Sequence, residues 1–102
     1  MQAASPAAKV ILGAPKDNVV TCCISLDAGQ VVPVGQAAVT ALQPIPIYHK
    51  MAIADIPAGA RVYKYGQPIG IASRDIRTGE HVHVQNLESD RGRGDRKKGG
   101  AL

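Results

Sequence analysis

The feature that most constrains the fold is a short repeat that occurs twice in the middle of the chain. Residues 55–62 read Asp-Ile-Pro-Ala-Gly-Ala-Arg-Val and residues 75–82 read Asp-Ile-Arg-Thr-Gly-Glu-His-Val, so both follow Asp-Ile-x-x-Gly-x-x-Val with a period of 20. A weaker third copy, Ser-Leu-Asp-Ala-Gly-Gln-Val-Val, spans residues 25–32. A period of 20 is too short for a helical repeat unless the repeat is leucine-rich, and this one is not.

Each copy of the repeat predicts a sharp turn between two strands. The Asp can accept a hydrogen bond from its own backbone just ahead of the bend, as in an Asx turn. The Gly supplies the positive φ angle that such a turn requires. The apolar residues before and after the turn then lie on the inner faces of two strands. We therefore expect β-corners related by pseudo-symmetry, with no chemistry of their own.

The composition indicates a mainly β domain. The chain has 102 residues, with 10 Val and 9 Ile against 5 Leu, and it contains neither Phe nor Trp. β-Branched side chains lose rotamer freedom in helices and pack well on pleated sheets. The 11 Gly and 7 Pro suit short strands joined by tight turns. A chain of this length forms one small domain, which leaves no room for a cofactor-binding βαβ domain or a large multistep enzyme.

The charge distribution divides the chain into three parts. We expect a flexible leader (residues 1–8), a folded domain (9–89) and a basic, Gly-rich, disordered tail (90–102). Residues 89–102 carry a net charge of +3 out of the total of +4. The folded part is therefore close to neutral, whereas a nucleic-acid-binding fold needs clustered positive charge. We expect no nucleic-acid partner, and RNA binding by the Arg-Gly tail is a distant alternative.

Alternating side chains between the two copies of the repeat predict a β-hairpin. Residues 62–65 form its first strand, Gly66-Gln67-Pro68 turn the chain, and residues 69–72 pair back. Further apolar segments predict strands at 9–12, within 19–26, at 30–34, and either a strand or a short helical segment at 37–42.

The sequence also indicates the compartment. Its longest apolar stretches fall well short of the roughly 20 residues that a membrane span needs. The first eight residues lack the basic and apolar regions of a secretory signal. We expect a cytoplasmic protein with no membrane partner, in which the adjacent Cys22 and Cys23 are free thiols.

The segment richest in potential chemistry contains His81 and His83. On a strand these two imidazoles and Gln85 point to one face, whereas Val82 and Val84 point to the other. Two such imidazoles lie about 6–7 Å apart at their Cβ atoms and can serve one divalent metal, although a metal usually needs a third protein ligand. The alternative is the polar, exposed face of an edge strand.

Three further residues are candidates for binding or catalysis. His49 is the only other histidine, and a neutral imidazole can act as a metal ligand or a base. Lys50 could hold a carboxylate, and Lys64, between two tyrosines, could bind an anion. For each of them the alternative is an ordinary solvated residue at the surface of a strand.

The segment from His49 to Ser89 resembles the N-terminal domain of the altronate and galactarate dehydratase family. The resemblance rests on His49-Lys50, the two Asp-Ile-x-x-Gly corners, Lys64-Tyr65-Gly66, Ile69-Gly70, and Glu80-His81-Val82-His83 followed by Asn86-Leu87. Stand-alone versions of this domain are the small subunits of altronate dehydratase and of sulfolactate sulfo-lyase. Two positions depart from the family pattern: Tyr48 replaces the usual Gly before His-Lys, and Gln85 replaces a frequent third His. We expect Tyr48 to reshape a turn and Gln85 to remove a possible metal ligand.

The resemblance implies a compact β-clip fold, the SAF (antifreeze-like) domain, and a role in removing water from sugar acids. It implies catalytic roles for His49, His81 and His83, with His81 and His83 as possible metal ligands. It assigns substrate binding to Lys50, Lys64 and Asn86. The implied cofactor is a divalent metal of the iron or manganese type, held mainly by a larger catalytic subunit.

Several functions remain open at this point. The first is the small subunit of a hydro-lyase that acts on a sugar acid together with a large catalytic dehydratase subunit. The second is the small subunit of a sulfolactate sulfo-lyase. The third is a non-catalytic β-clip module for carbohydrate binding or assembly. Exposed strand edges in so small a domain are also typical of homo-oligomers.

Overall fold

The computed structural model describes residues 9–89, which form nine short strands and no helix. The predicted leader and tail lie outside the described residues. No helix that could cross a membrane occurs within residues 9–89. The strands are β1 (Val10–Ile11), β2 (Val19–Cys22), β3 (Val31–Val34), β4 (Ala37–Thr40), β5 (Lys50–Ala52), β6 (Arg61–Lys64), β7 (Gln67–Ala72), β8 (His81–Val82) and β9 (Leu87–Glu88).

All strand pairs are antiparallel and form three small sheets. The central sheet has the order β1-β2-β5-β8, the hairpin β3-β4 forms a second sheet, and β6-β7-β9 form the third. The segment 37–42, for which a strand and a helix were both open, contains the strand β4. The prediction of a compact, mainly β, SAF-like fold is confirmed.

Four corners of the same geometry connect the sheets. In each corner one backbone N–H bonds to a carbonyl in another strand or directly after it, and the turn residue that donates it has a φ between 68° and 91°. These turn residues are Gly29, Tyr48, Gly59 and Gly79, which donate to Ala41, Cys22, Ala72 and Ala52. The repeat seen twice in the sequence, with a weaker third copy, is therefore present four times in the structure.

The corners pair with one another through their apolar residues. Leu26 bridges Ile45, and Ile56 bridges Ile76, each pair through two reciprocal backbone hydrogen bonds of 2.8–2.9 Å. All four side chains are at most 2% exposed. The turn glycines of the repeat thus place one apolar residue per corner in the core.

The aspartates of the repeat bond differently from the prediction. Asp55 accepts hydrogen bonds from the backbone N–H and the hydroxyl of Thr78, and Asp75 accepts one from the N–H of Ala58. Each carboxylate therefore stabilises the turn of the opposite corner, and the predicted bond to its own backbone is wrong. The reason is that pairing of Ile56 with Ile76 brings the two turns side by side.

The central sheet separates two hydrophobic cores. Neighbouring residues of one strand point to opposite faces, so Val20 and Met51 enter one core while Val19 and Ala52 enter the other. The first core is completed by the β3-β4 hairpin and its corners, and the second by the β6-β7 hairpin and its corners. This arrangement leaves the ends of β5 and β8 at the boundary between the two cores.

The β6-β7 hairpin confirms the predicted pairing but not the predicted turn. The turn is formed by Tyr65 and Gly66, both with positive φ, and Gln67 already begins β7. Both N–H groups of the turn donate to the carboxylate of Asp17 at 2.7 Å. Asp17 lies 48 residues upstream of Tyr65, so this long-range support for a non-glycine residue in the left-handed region is not visible in the local sequence.

Candidate metal centre

The register between β5 and β8 brings the three histidines of the sequence together. Lys50 pairs with Val82 and Met51 pairs with His81 in the antiparallel ladder. Continuing the same register by one residue places His49 opposite His83. The segment that contains His81 and His83 therefore lies beside the segment that contains His49 and Lys50, across the pair β5-β8.

The imidazoles form a compact stack. The ring centroids of His49 and His83 lie 4.2 Å apart, those of His49 and His81 lie 5.0 Å apart, and those of His81 and His83 lie 5.7 Å apart. Nδ1 of His49 lies 2.8 Å from Nε2 of His81, which is hydrogen-bond distance. One nitrogen atom from each of the three rings lies within 4.8 Å of the others. The predicted pairing of His81 and His83 on one side is confirmed, and His49 supplies the third imidazole.

Side-chain amides hold the backbone of the histidine strand. The N–H of His81 donates to Oε1 of Gln43 at 2.8 Å. The carbonyl of His81 accepts from Nδ2 of Asn86 at 2.8 Å and from Nε2 of Gln85 at 3.2 Å. The N–H of His83 donates to Oδ1 of Asn86 at 3.0 Å. The position of both imidazoles thus depends on amides that the sequence did not single out as a group.

The electrostatic surroundings favour the neutral form of His81 and His83. Burial lowers the pKa of His81, and the nearby His49, His83 and Lys50 lower it further. The pKa of His83 is likewise lowered by burial and then by His49 and Lys50. A neutral imidazole has a lone pair for a metal or a proton, so these shifts keep the rings available as ligands or bases.

Lys50 lies close to this cluster, since its charge acts on His81 and His83, and Lys64 in turn lies close to Lys50. Burial and the charge of Lys64 lower the pKa of Lys50, so the two ammonium groups are close enough to repel each other. Lys64 also lies over the ring of Tyr65, with Nζ 5.3 Å from the ring centroid. The two ammonium groups create a positive region beside the imidazoles that suits an anionic ligand.

Asn86 occupies a different place from the one expected of a substrate ligand. Its side chain is 0% exposed, and its amide bonds to the backbone of His81 and His83. These contacts give it a structural role beneath the cluster. Gln85, by contrast, is exposed at the surface and keeps its amide nitrogen 3.5 Å from Nδ1 of His81.

Tyr48 does not reshape its turn, contrary to expectation. It has a φ of 68°, and its N–H bonds to the carbonyl of Cys22, as the glycines of the other corners bond to their partners. His49 follows Tyr48 and occupies the same position in its corner as Gln30, Ala60 and Glu80 in theirs. The sequence reading missed this fourth corner because Pro44 and Tyr48 stand where the repeat has Asp and Gly. Aligning it with the other three would have placed His49 at the end of a core strand.

The arrangement defines a class of protein: a β-clip domain with three imidazoles gathered at the edge of its central sheet. Imidazole donors suit divalent iron and zinc, and three of them leave positions open for other ligands. The donor set therefore fits a metal centre of the catalytic kind.

Comparison with known sequences identifies the family. The sequence model of the altronate/galactarate dehydratase SAF domain matches residues 8–90. The chain therefore belongs to this family of SAF domains, as its resemblance to that family had indicated.

Individual relatives agree with this assignment. The chain is 43% identical over 74 residues to altronate dehydratase of Escherichia coli, and 33% identical over 75 residues to altronate dehydratase of Bacillus subtilis. These alignments cover 72% and 74% of the chain. It is also 49% identical over 47 residues to subunit alpha of (2R)-sulfolactate sulfo-lyase of Chromohalobacter salexigens, which covers 46% of the chain and 50% of that subunit. Two of these relatives are named dehydratases, and the third is named as a subunit of a sulfo-lyase.

The relatives differ greatly from this chain in length. The chain spans only 15% of the length of either altronate dehydratase. Most of each dehydratase therefore lies outside the domain described above.

Proposed function

We propose that this chain is the small subunit of a hydro-lyase that dehydrates a sugar acid of the altronate or galactarate type to a 2-keto-3-deoxy acid. In this proposal it works with a larger catalytic subunit that corresponds to the rest of the dehydratase relatives. The observation that carries the proposal is the cluster of His49, His81 and His83 on a domain of the dehydratase family.

Dehydration of a sugar acid requires three chemical contributions. A base removes the proton next to the carboxylate, a positive group stabilises the enediolate that forms, and the β-hydroxyl leaves with a proton. Neutral imidazoles can accept the first proton or return it to the leaving hydroxyl. The lowered pKa values of His81 and His83 support such a role near neutral pH.

A divalent metal is part of the proposal. His49, His81 and His83 would hold it, and its positive charge would stabilise the enediolate. An imidazole that gives its lone pair to the metal cannot also accept the proton, so the large subunit would then supply the base together with the further metal ligands. The imidazole donor set favours iron over manganese, because manganese prefers oxygen ligands. Lys50 and Lys64 would bind the carboxylate of the substrate through their ammonium groups.

The experiment uses the chain purified with its large partner. The complex is assayed for 2-keto-3-deoxy acid formation from a panel of sugar acids, with the bound metal measured in the same samples. We expect His81→Ala and His83→Ala to lower kcat by roughly 10²–10⁴-fold, the range for loss of an acid–base group. The matched control is Gln30→Ala, because Gln30 holds the position equivalent to His49 in the corner that pairs with the corner of His49. Histidine variants that keep full activity would refute the catalytic role.

A second candidate is the small subunit of a sulfo-lyase. It is favoured by the 49% identity to a subunit alpha of which the chain covers half. The same base chemistry would then expel sulfite in place of water. Adding (2R)-sulfolactate to the panel and measuring sulfite distinguishes the two reactions.

The same experiment also examines the non-catalytic alternative. A chain that copurifies with no large polypeptide and turns over no substrate would be a binding or assembly module. In that case, sugar-acid binding to the chain alone would persist after His81→Ala.

A further inference from the structure

Asn86 is a buried polar side chain whose hydrogen bonds all lie beneath the histidine cluster. It is 0% exposed, and among the described residues only Asp17 is another buried polar or charged residue. Its Oδ1 accepts from the N–H of His83 at 3.0 Å, and its Nδ2 donates to the carbonyl of His81 at 2.8 Å. Nδ2 also lies 3.4 Å from a carboxylate oxygen of Glu80. A buried amide with satisfied bonds of this kind holds its partners firmly, because losing them would leave polar groups unpaired.

These bonds take the place of the hydrogen bonds that a further strand beside β8 would make. β8 has only two residues and lies at the edge of the central sheet, where β5 is its single neighbour. Beyond Val82 the chain leaves the ladder and turns at residues 83–86. Asn86 closes this turn, and its one side chain bonds to the backbone of both imidazole-bearing residues.

Asn18 makes the same pair of hydrogen bonds elsewhere in the fold, to residues that are not histidines. Nδ2 of Asn18 donates to the carbonyl of Arg61 at 3.0 Å, and Oδ1 of Asn18 accepts from the N–H of Tyr63 at 2.8 Å. Both asparagines therefore bond to the carbonyl of residue i and the N–H of residue i+2 through the same pair of side-chain atoms. Asn18 provides a natural control for the general effect of losing such a clamp.

We propose that Asn86 is a positioning residue that fixes the relative placement of the His81 and His83 imidazoles. This inference concerns the imidazole geometry of the chain itself. It rests on the proposed metal function only where it predicts metal affinity. Loss of the clamp lets the turn at residues 83–86 move, which separates the rings and disturbs the hydrogen bond between His49 and His81.

The first measurement needs no metal. Imidazole ¹⁵N and ¹H resonances are recorded for the metal-free wild-type chain, Asn86→Ala and Asn18→Ala. We expect Asn86→Ala to shift or broaden the signals of all three histidines, whereas Asn18→Ala leaves them unchanged. The two variants are also compared by thermal unfolding, so that a general loss of stability is separated from a local change at the rings.

A second variant covers the case in which Asn86→Ala does not fold. At a pH at which the new carboxylate is ionised, Asn86→Asp keeps an oxygen that accepts from the N–H of His83 but has no hydrogen to donate to the carbonyl of His81. It should therefore disturb the His81 signals more than the His83 signals. A uniform change across all the histidines, or none, would contradict the proposed clamp.

The third measurement is titration with Co²⁺, followed by visible absorption. We expect Asn86→Ala to weaken Co²⁺ binding by roughly 10–100-fold, as is typical when a group that orients a ligand is removed. Asn18→Ala should bind Co²⁺ as the wild type does. Equal effects of the two asparagine variants on the rings and on Co²⁺ would overturn the positioning role.

The outcomes separate this inference from the proposed function. If the wild-type chain binds no Co²⁺ but Asn86→Ala alone moves the histidine signals, the metal function fails and the positioning role stands. If the chain binds Co²⁺ and Asn86→Ala leaves both affinity and signals unchanged, the positioning role fails and the metal function stands.

Discussion

Nδ1 of His49 lies 2.8 Å from Nε2 of His81, although 32 residues separate them in the sequence. A hydrogen bond of this kind needs one proton between the two nitrogens. A metal that binds both nitrogens must displace that proton, because only a lone pair can coordinate. Proton and metal therefore compete for the same pair of atoms.

The first prediction is that a divalent metal stabilises the domain. A ligand at 100 times its Kd stabilises the folded state by about 2.7 kcal/mol, which for a domain of this size raises Tm on the order of 10 °C. We expect this rise with Zn²⁺ or Co²⁺, and its reversal by a chelator. Thermal unfolding by circular dichroism measures it.

The matched variants for this prediction are His83→Ala and Gln30→Ala. The first should abolish the rise in Tm, and the second should keep it. Metal binding should also weaken as pH falls into the range in which the imidazoles take up protons, because a protonated ring has no lone pair for the metal. A rise in Tm that survives His83→Ala would mean that the metal binds elsewhere.

Much of the fold could be predicted because the residues that form a corner lie close together in the sequence. The glycine of each repeat adopts the positive φ that the turn requires, and the Ile three residues before it enters the core. What could not be predicted is how the corners pair. Asp55 reaches Thr78 only after Ile56 and Ile76 have met, and no local pattern encodes that meeting.

Part of the site could also be predicted from a local sequence pattern. Strand alternation is enough to place His81 and His83 on one side. The addition of His49 depends on the register between β5 and β8, which is a long-range property. The hydrogen bonds of Asn86 depend on where β8 ends. Strand alternation predicts a longer strand, in which Val84 would be buried on the same face as Val82. Val84 is instead 81% exposed.

The second prediction concerns acid stability. Burial raises the pKa of Asp17, but the backbone N–H groups of Gly66, Tyr65, Ala14 and Gly13 bond to the carboxylate and lower it by more. The pKa of Asp55 is lowered by its hydrogen bonds from Thr78. A carboxylate with a lowered folded pKa binds fewer protons when folded than when unfolded. Its contribution is therefore complete above the unfolded pKa of 3.8 and is lost as pH falls through the lower folded value.

The measurement is Tm as a function of pH from 7 to 2. We expect a steep loss of Tm below about pH 4 in the wild type. Asp17→Asn should start from a lower Tm at pH 7 and lose less of it on acidification. Asp27→Asn, at an exposed corner position, is the control. An Asp17→Asn curve parallel to the wild-type curve would show that this carboxylate is not linked to folding.

The third prediction is that Tyr48→Gly stabilises the domain. Tyr48 holds a φ of 68°, where the Cβ of an ordinary residue costs about 1–2 kcal/mol. Its side chain is 72% exposed, so little packing offsets that cost. Glycine partly cancels the gain through the added freedom of the unfolded chain, which leaves a net gain of about 0.5–1 kcal/mol. Urea unfolding measures it, and a loss of stability would show that the tyrosine ring makes contacts that outweigh the strain.

The fourth prediction compares two glycines with the same backbone angle but different surroundings. Gly59 has a φ of +88° and no neighbour within 4 Å of an added Cβ, whereas at Gly79, with a φ of +91°, that Cβ would clash with the carbonyl oxygen of Thr40. We expect Gly59→Ala to cost about 1–2 kcal/mol from strain alone. Gly79→Ala should cost about 1–3 kcal/mol more, the range for overpacking.

This difference also bears on the histidines. The carbonyl of Gly79 accepts from the N–H of Leu42, and His81 lies only two residues further along the chain. Movement of the Gly79 corner away from Thr40 therefore also moves His81 relative to Gln43. Urea unfolding gives the two stabilities, and the imidazole resonances give the second effect. Equal costs for the two variants would show that the Gly79 corner shifts without strain, in which case the histidine signals should move the most.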